Sequence, residues 1–98
     1  MNVNDIFKVL REREGYNEQQ ARLLAKDLSN VNIEIFPLLE AWIKNGSTQG
    51  YCEKGISISN LMEINKMSYP AAISTIDWLI KEPEIALPVI SKMTNTKR

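Results

Sequence analysis

Cys52 is the single thiol of this 98-residue chain, and Lys54, two positions on, is the nearest basic group in sequence. A thiol becomes a useful nucleophile when a cation or a helix N-terminus lowers its pKa, and acyl-transfer enzymes add a histidine to carry the proton. The chain has no histidine. Neither a Ser-His-Asp nor a Cys-His arrangement can therefore be assembled, and Cys52 reads as a structural or incidental cysteine. The same absence removes the commonest metal ligand and the ordinary pH switch near neutrality. Glu12 with Glu14, and Glu82 with Glu84, stand two apart, so on a helix they point to different sides and do not converge on a metal. The glycines lack the spacing of a phosphate loop or a dinucleotide fingerprint, and no segment has the ligand pattern of a calcium loop. The expectation is a protein with no catalytic residues, no metal and no cofactor.

Composition narrows the class further. Hydrophobic residues make up 44% of the chain and charged ones 24%, the balance of an ordinary folded protein. Twelve basic residues offset twelve acidic ones, so no global field draws nucleic acid or an anionic membrane. The halves are balanced too, with six basic and seven acidic side chains in residues 1–50, and six and five in 51–98. The longest apolar stretches, 35–39 and 85–90, are far too short to cross a bilayer. Residues 1–10 lack the basic start and apolar run of a secretory leader. A cytoplasmic protein without membrane association is expected, and a lone cysteine agrees with a reducing compartment.

Apolar spacing predicts helices. Val3, Ile6, Phe7 and Leu10 fall on one helical face, with Asn2 or Asn4 as cap and Gly15 as stop. Asn17 with Gln20 forms a capping-box variant, Tyr16 is placed to staple against Ala21, and Ala21, Leu24, Ala25 and Leu28 define a second helix supported by the Glu18–Arg22 pair. A third helix capped by Asn32 would bury Ile35, Leu38, Leu39 and Trp42, starting or bending near Pro37. Residues 46–55 are polar and glycine-rich and should separate two helical units, 1–45 and 56–93. Within that boundary, a minor two-strand element near 51–58 can pair across a Lys54-Gly55 turn. Ser59 or Asn60 would cap a short fourth helix, and Ser68 a fifth with Ala72, Ile76, Leu79 and Ile80 inward. Pro83 would open a sixth, kinked at Pro88, burying Ala86, Val89, Ile90 and Met93, and 94–98 would be a frayed tail. The fold expected is all-α, a single domain of five or six helices in two helical units.

Between Ile58 and Ile80 a short helix, a tight turn and a longer capped helix follow one another. This stretch resembles the helix-turn-helix of many winged-helix and repressor domains. The resemblance implies that Leu61 anchors the first helix, Met67 fills the turn and Ser68 caps the recognition helix. DNA contacts would then come from Tyr69, Ser74 and Thr75, on an open face that also carries Ala71 and Asp77. Residues 56–88 nevertheless hold only Lys66 and Lys81 against Glu63, Asp77, Glu82 and Glu84, the wrong sign for phosphate. In the first unit, Gly15-Tyr16, Ala21 and Ala41-Trp42-Ile43 resemble the compact three-helix ubiquitin-associated domains. The stretch between its second and third helices is longer than in that family, so the resemblance implies a partner-binding turn at Gly15-Tyr16 rather than ubiquitin as the ligand.

Aromatic residues concentrate binding energy at protein interfaces, which makes Tyr16, Tyr51, Tyr69, Trp42 and Trp78 the candidate partner contacts. The function expected is a non-enzymatic interaction or regulatory module, acting on an unknown protein partner or by self-association. Helix-turn-helix DNA binding is the alternative, disfavoured by charge.

Overall fold

In the computed structural model, which describes residues 2–95, the first helix, α1 (Val3–Glu12), begins where the Asn2 side chain accepts the Asn4 N–H at 2.7 Å. Ile6 and Leu10 are buried, while Val3, expected in the same stripe, lies in the first turn and is 40% exposed. The helix ends three residues before Gly15. Arg13 N–H closes on the Val9 carbonyl, the chain turns through Gly15 at φ +75°, and Tyr16 N–H reaches back to the Leu10 carbonyl at 3.1 Å. Glycine takes that left-handed backbone without a steric penalty.

α2 (Glu18–Leu28) starts as its sequence predicts, with the Asn17 side chain accepting the Gln20 N–H at 2.8 Å. Its buried positions are Ala21, Ala25 and Leu28, and it packs against α1. Two alanines on this face let the helix axes approach closely. Glu18 and Arg22 pair at 3.7 Å in the open, an interaction of a few tenths of a kcal/mol.

Asn32 does not cap the third helix. Its side chain accepts the Glu34 N–H, its carbonyl accepts those of Ile35 and Phe36, and these bonds form a separate turn. α3 (Phe36–Asn45) begins later, with Pro37 in the first turn, where the missing N–H needs no partner. Ile35, Leu38, Leu39 and Trp42 are buried as expected. Gly46, at φ +71°, ends the helix with its N–H on the Trp42 carbonyl.

The chain forms two units, Met1–Thr48 and Gln49–Arg98. The second opens with a hairpin of β1 (Cys52–Glu53) and β2 (Ile56–Ser57), antiparallel, with Cys52 opposite Ser57 and Glu53 opposite Ile56. Lys54 and Gly55 both have positive φ, +51° and +82°, the requirement of a two-residue turn whose twist matches its strands. Ile58 and Ser59 leave the strand for α4 (Ile58–Ile64), so neither Ser59 nor Asn60 is its cap. Ser57 fills that role, its hydroxyl accepting the Asn60 N–H at 3.0 Å.

Leu61 closes α4 by accepting from both Asn65 N–H and Met67 N–H. The left-handed residue in this turn is Lys66, at φ +58°, while Asn65 stays at −95°. A side chain there costs about 1 kcal/mol, so Lys66→Gly should raise stability by roughly 0.5–1 kcal/mol. Urea unfolding would measure the change, and Lys66→Ala, which keeps a Cβ, should show none of it.

α5 (Tyr69–Lys81) is capped by Ser68, whose hydroxyl accepts the Ala71 N–H, and holds Pro70 in its first turn. α6 (Pro83–Asn95) follows after one residue. Glu82 serves both helices: its N–H closes α5 on the Trp78 carbonyl, and its own carbonyl accepts the Ile85 and Ala86 N–H groups. α6 runs through Pro88 and includes Thr94 and Asn95, which were expected to fray; the Thr94 hydroxyl donates to the Ile90 carbonyl at 3.1 Å. The rest of the expected tail, 96–98, lies outside the described residues. α4, α5 and α6 pack on one another around Ile58, Leu61, Ile73, Ile76, Leu79 and Ile90. Among the described residues there are thus six helices and one two-stranded sheet, an all-α fold with a minor strand element. No helix among them is long and apolar enough to cross a membrane.

Candidate functional site

The helix-turn-helix-like segment is α4, the four-residue turn 65–68 and α5. Its second helix does not offer the face the sequence suggests. Tyr69 and Asp77, expected in the open, are only 3% and 7% exposed. Ala71, Ser74 and Thr75 are half-buried. Ile73 accounts for the difference. It is fully buried, and Tyr69 and Asp77 stand four residues to either side of it on one stripe, so they follow it inward.

The inward polar groups of α5 are matched. Tyr69 donates its hydroxyl to the Gln49 carbonyl at 2.7 Å. Asp77 receives Lys81 Nζ at 2.9 Å, which commits the cation at the end of α5 to its own helix. The Thr75 hydroxyl donates to the Ala71 carbonyl one turn back at 2.9 Å. Burial pushes the Tyr69 phenol above its ordinary value of 10.0. The fold favours the neutral phenol, so its contribution is complete below that value and is lost as pH rises from there through the higher folded value. Stability of the second unit should therefore fall in alkali, and Tyr69→Phe should remove that part of the slope while costing about 1 kcal/mol at neutral pH. Thermal unfolding across a pH series would read both.

The other aromatic candidates divide. Trp42 is 2% exposed, and the Arg13 guanidinium covers its ring at 4.7 Å from the centroid. Arg13 also donates to the Trp42 and Ile43 carbonyls, at 2.8 and 3.2 Å, so it satisfies the end of α3 while shielding the indole. Trp42 is therefore a core residue. Tyr16 is half-buried, and its carbonyl accepts from Arg11. Trp78 is half-buried on α5. Tyr51 donates its hydroxyl to Glu53 at 3.0 Å, and Lys54 Nζ lies 3.7 Å from the same carboxylate. Lys54 thus faces Glu53, and Cys52 beside them is exposed. Among the described residues no three His, Cys, Asp or Glu side chains gather as a metal site requires.

The feature missed by sequence reasoning lies on α6. Val89, expected inside, is 44% exposed, and Ile85 is 56% exposed. With the exposed Pro88 they form a stripe at i, i+3 and i+4 spacing, centred about 130° around the helix from the buried Ala86 and Ile90. A signal existed. Ile85, Ala86, Leu87, Val89, Ile90 and Met93 spread over about 200° of the helix circumference, a wider apolar arc than one inward face can take. Compared with protein-family models, with curated proteins and with solved structures, the chain matches none.

Proposed function

We propose that the protein is a non-enzymatic, cytoplasmic interaction or regulatory module that works through the outer face of α6. The observation that carries this reading is the exposed Ile85–Pro88–Val89 stripe on a helix packed against α4 and α5. Apolar residues at helical spacing on the solvent side are what a helix-face contact uses. The absence of histidine supports a role without acid–base chemistry.

In-cell cross-linking of the full chain tests the reading. Adducts formed by the wild type, with itself or with another protein, should disappear in Ile85→Glu, and an unchanged adduct pattern would overturn it. The DNA reading has less support, since Tyr69 is buried and Lys81 is held by Asp77. Fluorescence anisotropy with mixed-sequence duplex should show no salt-sensitive binding at low ionic strength, and such binding would restore that alternative.

A further inference from the structure

We infer that the α6 stripe is a self-association face that pairs two copies of this chain antiparallel. The inference rests on the interaction reading above and names its partner. Ile85, Pro88, Val89 and Lys92 are exposed and recur at i, i+3, i+4 and i+7, one continuous face. Opposite charges stand at the two ends of this face, Glu84 at its border and Lys92 within it. Glu84 occupies the first turn and Lys92 the last, and both are exposed. Among the described residues neither has an ion-pair partner.

A two-fold axis brings the same patch of each copy together, so the patch must complement itself. Glu84 and Lys92 stand four residues to either side of Pro88. Two α6 helices crossing antiparallel at Pro88 therefore set Glu84 of each copy beside Lys92 of the other, with Ile85 and Val89 between them. A parallel pair would instead oppose Glu84 to Glu84 and Lys92 to Lys92, and like charges repel. The helix is 13 residues long, about 20 Å at 1.5 Å per residue, so a single helix pair makes a small interface. Small interfaces give weak, exchanging dimers. The expected dimer forms at micromolar or higher concentration and weakens with salt, because its ion pairs are exposed.

Sedimentation equilibrium of the full chain, run from micromolar to millimolar concentration, tests the inference. The wild type should show a monomer–dimer equilibrium. Val89→Glu should remain monomeric, and because Val89 is exposed its circular dichroism should match the wild type. Glu84→Lys should weaken association about tenfold, by turning attraction into repulsion at both ends. The double variant Glu84→Lys, Lys92→Glu should restore it. A strict monomer at millimolar concentration would overturn the inference, as would a dimer indifferent to Val89→Glu or a double variant that fails to recover. A monomer whose cross-links to a different protein vanish in Ile85→Glu would sink the second-copy partner and leave the interaction reading standing.

Discussion

Trp42→Ala should cost the first unit about 3–5 kcal/mol, the range for deleting a buried tryptophan. The indole is almost wholly enclosed, so its loss leaves a cavity. It also strands the Arg13 guanidinium, which now lies over the ring. Domain stability is typically only about 5–15 kcal/mol, so a large part of the first unit's reserve depends on this residue. Trp42→Phe keeps a ring for Arg13 and should cost less. Arg13→Ala should cost about 1–3 kcal/mol, since the α3 carbonyls lose a charged donor. The double variant should cost less than the two single changes added together, because both disrupt one contact. Urea unfolding followed by far-ultraviolet circular dichroism measures all four variants. A Trp42→Ala protein as stable as the wild type would refute the assignment of Trp42 to the core.

The second large effect is expected in α5. Ile73→Ala should destabilise by about 2–5 kcal/mol and Ile73→Val by about 0.5–1.5 kcal/mol, the graded response of a fully buried aliphatic side chain. Ser74→Ala, one position along on the half-buried face, should stay within about 0.5 kcal/mol of the wild type. The contrast between neighbours is the informative quantity. Equal costs at 73 and 74 would mean that the orientation of α5 is wrong, and with it the account of why Tyr69 and Asp77 lie inside.

Where one residue's chemistry decides a local structure, the sequence is easy to read. Asn17, Ser68 and Pro83 each mark a helix start, and each does so in the structure. The Lys54-Gly55 turn is of the same kind, because few residue pairs tolerate two consecutive left-handed positions. Competition between equivalent signals is harder to resolve. The sequence points to Ser59 or Asn60 as the N-cap of α4, and the hairpin overrides both by holding Ser57 extended at the point where α4 begins. Asn32 offered a cap as well, yet Pro37 delayed α3 and left Asn32 to a turn of its own.

Orientation was the least legible property, and it decides the candidate site. The apolar pattern of α5 fits two inward faces about equally, one with Ile73 and one without it, and only packing chooses between them. On α6 an excess of apolar residues signalled that some must face out, without saying which. Arg13 was invisible for a different reason. Its partners, Trp42 and Ile43, lie some 30 positions away in sequence, and no local pattern anticipates such a contact.

The single residue between α5 and α6 has a mechanical consequence. Because Glu82 ends one helix with its N–H and begins the next with its carbonyl, and Pro83 restricts the backbone immediately after it, the corner has almost no torsional slack. The azimuth of α6 is in effect phase-locked to that of α5. One inserted residue at this corner would advance α6 by about 100°, turning Ile85 and Val89 away from solvent without altering a side chain.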